Sequence, residues 1–175
     1  MHQCLLSTSR FSVERRVYAR PGTSPITREV VVHPGAVVIL PILNDGRIVM
    51  IRNFRYSVEE ELWELPAGTC EPHEPAVDTA RRELEEETGY RAGVLTPMIE
   101  FHPSPGILTE LMRVFMATEL TFVDRKLEAG ERIEVEIVAA DVARRMLIHG
   151  EFRDAKTIAT LGTYFLSMTQ TEPRP

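Results

Sequence analysis

The sequence is poor in the features that mark special classes of protein. Its 175 residues include two cysteines, Cys4 and Cys70, and one tryptophan, Trp63. Two cysteines that far apart do not make a disulfide scaffold, and they read as free thiols of a reducing compartment. An excess of positive charge is also missing. Lys and Arg number 20 against 26 Asp and Glu, a net charge of −6. That excludes a broad electrostatic grip on nucleic acid, so a polyanionic ligand would need a few local arginines or a divalent cation. No apolar run approaches the ~18 residues of a membrane-spanning helix. No basic segment leads into an apolar stretch at the N-terminus, so no secretory signal is read. The expected address is the cytoplasm, with neither nucleic acid nor membrane as a partner.

What is present is ordinary globular material, 43% hydrophobic and 26% charged, enough for one sizeable core. The residues through Ser9 read as a loose end. Phe11–Tyr18 and Ile26–Val32 read as strands of one hairpin across the turn Arg20–Pro25. Ala36–Leu43 is apolar and rich in β-branched residues, which suits a buried strand. The turn signal Asn44-Asp45-Gly46 makes Arg47–Phe54 its expected hairpin partner. Glu74–Thr88 is the clearest helix, with Pro75 in its first turn, Gly89 just past its end and Asp78 spaced to pair with Arg82. Ile99–His102, Leu111–Leu120 and Ile133–Val138 read as strands, and Ala140–His149 and Asp154–Met168 as closing amphipathic helices. The order of elements indicates a layered α/β domain.

The chemistry concentrates in the long helix. At about 100° per residue, Glu83, Glu86 and Glu87 fall on one arc, while Ala76, Val77, Ala80 and Leu84 form an adjoining apolar arc. Carboxylates crowded at the C-terminal pole of a helix repel one another and oppose its dipole. A hard divalent cation relieves both penalties, and all-oxygen ligation suits Mg²⁺.

The full pattern is Gly68, Glu74, Arg82, Glu83, Leu84, Glu86, Glu87 and Gly89, followed by Tyr90. It resembles the Nudix box at every fixed position, with Tyr90 a mild departure where an aliphatic residue is usual. The chain is thereby identified as a member of the Nudix hydrolases. The resemblance implies an α/β Nudix fold, an α/β/α sandwich with a mixed β-sheet, over residues 33–175. Residues 1–32 would form an N-terminal β-hairpin extension. It further implies Mg²⁺-dependent hydrolysis of a nucleoside diphosphate linked to another group, with Mn²⁺ as the alternative ion. By position, Glu83, Glu86 and Glu87 resemble the metal carboxylates, and the Ala67 carbonyl a further ligand. Arg82 resembles the residue that orients one of the glutamates, Gly68 the loop residue that admits a close backbone approach, and Glu74 a structural acid.

Leu62-Trp63-Glu64-Leu65-Pro66-Ala67-Gly68 and Pro105, at its distance beyond Gly89, resemble the ADP-ribose pyrophosphatase branch. The implied substrate is a small-molecule nucleoside diphosphate sugar, foremost ADP-ribose, with GDP-mannose-type sugars the alternative. A non-catalytic ADP-ribose sensor and an enzyme that cleanses oxidised nucleoside triphosphates are rival classes. Arg55 and Arg52 are candidates for the diphosphate, Glu110 for the terminal ribose, and Phe11 or Tyr18 for stacking on the base. Trp63 is placed in the core or a dimer interface instead. The general base is expected at Glu131, with Glu128, Glu134 and a box glutamate such as Glu87 acting directly as competitors. The histidines His33, His73 and His102 read as surface or strand-end residues. The branch also implies a homodimer built through the N-terminal strands.

Overall fold

The computed structural model describes residues 2–125 and 132–169. Its ten strands and three helices lie in three sheets and two helical layers. The centre is β4 (Ala36–Pro41), buried along its whole length. It is flanked by β7 (Ala67–Thr69), antiparallel, and by β9 (Met112–Phe122), parallel. β8 (Tyr90–Phe101) completes this mixed sheet at its edge. A strand alternates its side chains between faces, and β4 feeds two cores in this way. Val37 and Ile39 pack with Ala80 and Leu84 of α1 (Ala76–Thr88). Val38 and Leu40 pack with Ala143 and Met146 of α2 (Ala140–Ile148) and with Leu161 and Tyr164 of α3 (Ala155–Thr169). The expected α/β/α sandwich is thus present, and its two cores meet at a strand that has no polar face.

The expected pairing of Arg47–Phe54 with β4 is not found. β5 (Ile48–Arg55) lies between β10 (Ile133–Val138) and β6 (Glu60–Glu64) in an antiparallel sheet of its own. The turn itself forms as read: Gly46 has φ 83° and donates to the Leu43 carbonyl. Both edges of β4 are already taken by β7 and β9, so only the bridge Ile42–Ile48 joins the turn's two arms. β6 and β7 were not foreseen. Pro66, which cannot donate to a ladder, separates them. β8 is far longer than expected, and it holds Pro97 because it is an edge strand beside a bulge.

At the N-terminus the hairpin becomes a three-stranded antiparallel sheet. β1 (His2–Ser7) adds to β2 (Ser12–Tyr18) and β3 (Ile26–Val32), so the supposed loose end is paired. Thr8 makes the turn: its hydroxyl oxygen accepts from the Arg10 and Phe11 N–H groups and its O–H donates to the Phe11 carbonyl. The sheet joins the main domain through β3, whose Val31 exchanges backbone hydrogen bonds with Ile107 and Thr109. Among the described residues no helix is long and apolar enough to cross a membrane.

Candidate active site

α1 begins after Pro75 and ends at Gly89, whose φ of 74° closes the helix as its N–H donates to the Glu85 carbonyl. The apolar arc fixes the helix against β4, and this sets the direction of the acidic arc. Glu87, 3% exposed, accepts from the Ala67 N–H at 2.9 Å. It is thereby tied to the residue expected to lend its carbonyl to a metal. Glu83 lies against Gly68 so closely that a Cβ there would sit 1.9 Å from its carboxyl carbon. Any side chain at position 68 would displace the acid, which is the physical reason for that glycine.

Arg82 organises the remaining acids. Its Nη1 donates to Glu83 Oε1 at 2.7 Å and to Glu86 Oε2 at 2.9 Å. Its Nε and Nη2 reach the two oxygens of Glu74 at 3.3 and 3.2 Å. The expected Asp78 pairing gives way to these contacts. Burial works against the Arg82 charge, but the bonds to Glu74, Glu83 and Glu86 outweigh it and hold the guanidinium more firmly protonated than usual. Glu74 in turn is held below the ordinary carboxylate range, by Arg82 first and by the Thr79 hydroxyl, against its own desolvation. These contacts tie Glu74, in the loop before the helix, to Thr79 and Arg82 of α1. Three carboxylates share one guanidinium, and Glu87 adds a fourth negative charge beside them.

This donor set fits a hard divalent cation: it is all oxygen, acidic in excess and seated at the wrong end of a helix for anions. Among the described residues no three such side chains converge on one point; Glu83 and Glu86 both accept from Arg82.

Arg55 and Arg52 stand three residues apart on β5 and therefore project from opposite faces. Arg55 is on the box side, near enough to Glu87 to feel its charge. It is gripped by Glu64, Nε to Oε1 at 2.7 Å and Nη2 to Oε2 at 2.6 Å. Arg52 lies 5.1 Å over the Trp63 ring and pairs with Glu61. The two arginines do not converge on one diphosphate. Glu134 is directly across from Arg52 in the β10–β5 ladder and shares its face, away from Arg55. Glu131 and Glu128 lie outside the described residues. The Glu110 carboxylate lies 3.3 Å from His33 Nδ1. Phe11 stands just before β2 and Tyr18 at its far end, both exposed and about 23 Å apart at the rise of a strand, so the two of one protomer cannot both stack on one base. Tyr90 packs edge-on against Phe122, with ring centroids 5.5 Å apart.

Sequence reading missed a second charged cluster. Glu64, its side chain 1% exposed, also accepts from Lys156 Nζ at 2.6 Å, and Lys156 contacts Asp154 at 2.9 Å. One signal was available: Lys156 is the only charged residue in the α3 sequence.

The NUDIX domain family model matches residues 32–161. The ADP-ribose pyrophosphatase of Bacillus subtilis (strain 168) is 42% identical over 139 residues, 78% of this chain and 75% of its own length. The ADP-ribose pyrophosphatase of Mycobacterium tuberculosis is 35% identical over 170 residues, 94% of this chain and 82% of its own. The crystal structure of an ADP compounds hydrolase matches with a TM-score of 0.83 at 21% identity, covering 97% of this chain and 92% of that one, and bears on the fold alone.

Proposed function

The chain belongs to the NUDIX domain family, and from that premise we propose that it hydrolyses the pyrophosphate bond of a nucleoside diphosphate sugar, foremost ADP-ribose, to AMP and ribose 5-phosphate. The observation that carries this reading is the over-acidic end of α1: Glu83 and Glu86 gathered on Arg82, Glu83 seated against Gly68, and Glu87 buried on the Ala67 N–H. Glu83, Glu86 and Glu87 are the residues that would hold the divalent cation, which we take to be Mg²⁺. Once bound, the ion supplies charge neutralisation at the phosphoryl oxygens and acidifies the attacking water.

The chain's own part is positioning. Arg82 keeps Glu83 and Glu86 oriented, the Ala67 N–H does the same for Glu87, and Arg55 presents donors to the diphosphate. In the reaction, water oxygen bonds to one phosphorus, the bridging oxygen leaves with the other phosphate, and a base takes the released proton. Glu131 is our candidate base; Glu134, on the far face of β10, is a poor one. Glu110 remains the candidate for the terminal ribose, and either Phe11 or Tyr18 for stacking on the nucleobase.

Residues 1–32 form the dimerising unit in this reading and residues 33–175 the hydrolase domain. The exposed apolar side chains Leu5, Leu6, Phe11, Val17, Tyr18 and Ile26 on the N-terminal sheet support a homodimer; a monomer in sedimentation at micromolar concentration would count against it. Cys4 and Cys70, both free, support a cytoplasmic setting. The test is nucleoside monophosphate release from ADP-ribose, ADP-glucose, GDP-mannose and diadenosine polyphosphates, with and without Mg²⁺. Mg²⁺-dependent preference for ADP-ribose is the expected result. Preference for another sugar keeps the glutamates and changes the substrate. Binding of ADP-ribose without turnover overturns the hydrolase reading in favour of a sensor.

A further inference from the structure

We propose that Lys156 is a positioning residue for substrate binding, acting through Glu64 on Arg55; this rests on the hydrolase reading above. Glu64, at the end of β6, is fully buried, yet it lies against half-exposed Arg55 on one side and against α3 on the other. Arg55 spends Nε and one Nη2 hydrogen on the two Glu64 oxygens. A guanidinium has five N–H donors in a rigid plane, so this grip fixes the plane and leaves three donors directed elsewhere. The Arg55 side chain is 39% exposed, and strand parity sets it on the face of β5 opposite Arg52; in this proposal its remaining donors serve the diphosphate.

Lys156 decides how hard Glu64 pulls. Its side chain is 8% exposed, and it is held between Glu64 and Asp154. Asp154 is itself fixed, accepting from the Thr157 N–H and hydroxyl at 3.0 and 2.6 Å, while the Thr157 hydroxyl oxygen accepts from the Leu65 N–H at 2.8 Å. Arg55 and Lys156 balance Glu64 and Asp154 charge for charge. Without Lys156 both carboxylates are left to a single cation. Arg55 is then drawn towards the core, and the surplus negative charge repels a diphosphate. The buried lysine thus acts on a ligand that it does not touch. A lysine that served only to bolt α3 to β6 would lower stability and the active fraction and leave substrate affinity alone.

The experiment measures KM and kcat for ADP-ribose with Mg²⁺ in the wild type, Lys156→Met, Lys156→Gln, Lys156→Arg, Arg55→Ala and the double variant Arg55→Ala/Lys156→Met. Lys156→Met and Lys156→Gln are expected to raise KM by about 10–100-fold, the range for groups that orient a liganding side chain, with kcat changed far less. Lys156→Arg restores the charge and a KM near that of the wild type. Once Arg55 is alanine, Lys156→Met should raise KM little further, because coupled positions are not additive. Should the methionine variant not fold, the glutamine variant carries the comparison. An unchanged KM with a lower active fraction, or KM effects that multiply in the double variant, overturns the proposal. A wild type that turns over no nucleoside diphosphate sugar overturns the hydrolase reading instead. Metal-free calorimetry with ADP-ribose then judges Lys156 separately: weaker binding in Lys156→Met than in Lys156→Arg sustains its role, and equal binding removes it.

Discussion

Two clusters of buried or half-buried charge stand close together in this molecule and are built on opposite accounts. Around Glu64, two acids meet two bases, and every charge has a partner within 2.9 Å. On α1, Glu74, Glu83 and Glu86 converge on the single guanidinium of Arg82, with Glu87 buried beside them. A balanced cluster is complete as the chain folds; it repays part of the desolvation cost with its own hydrogen bonds. An unbalanced one is completed from outside. The side on which charge is left over, more than the number of acids, separates a group that binds a cation from a group that holds the frame. Arg55 links the two, being held by Glu64 of the first cluster and close enough to the second for the Glu87 charge to favour its protonated form.

The contrast can be broken from either side. The largest effect is expected from Glu83→Gln or Glu87→Gln, which keep the shape and remove the charge: kcat should fall on the order of 10³-fold or more, with the circular dichroism melt preserved. An unfolded Glu87→Gln protein, or one of near-normal activity, would sink the metal assignment. The balanced cluster should answer in stability: Lys156→Met leaves a buried carboxylate underpaired and should cost about 3–5 kcal/mol in denaturant unfolding. Gly68→Ala attacks the unbalanced cluster by shape alone. It displaces Glu83 and should cost about 10²-fold in rate, the scale of an ångström misplacement. Mg²⁺ should raise the melting temperature of the wild type, by an amount equivalent to about 2.7 kcal/mol at a hundred times its dissociation constant. The same titration should move Glu83→Gln much less, and an equal shift would mean that the ion binds elsewhere.

The smallest effect lies in the acid limb. Arg82 lowers the Glu74 pKa below its ordinary 4.5. The associated stability is complete above that pH and is lost as pH falls through the folded value. Glu74→Gln should flatten that part of a stability–pH curve; an unaltered curve would show that the Arg82 contact contributes nothing.

The box helix was legible because its signals are local. Gly89, the apolar arc and the acidic arc all follow from helical spacing, and the unrelieved apolar run of β4 could only be a strand buried on both faces. The partner of β5 was not legible, because the Asn44–Gly46 turn reports direction reversal and not which edges of β4 are already occupied. β1 has no alternation to betray it and is defined by pairing with β2. Arg52 and Arg55 looked equivalent as letters, and strand parity separates them. Glu64 and Lys156 each make sense only beside the other, and nothing in their neighbourhoods along the chain connects them.

That separation has a consequence for how the protein is made. Ninety-two residues divide Glu64 from Lys156, so at about 5–20 residues per second the ribosome delivers the glutamate roughly 5–20 s before its lysine. The box helix is complete well before then. During that interval Glu64 has Arg55 for company but not Lys156, and the layer under α3 is still open. The nascent chain therefore carries every glutamate of α1 before it can hold Arg55 in its final place, and α3, the last of the described helices, is the one that finishes the work.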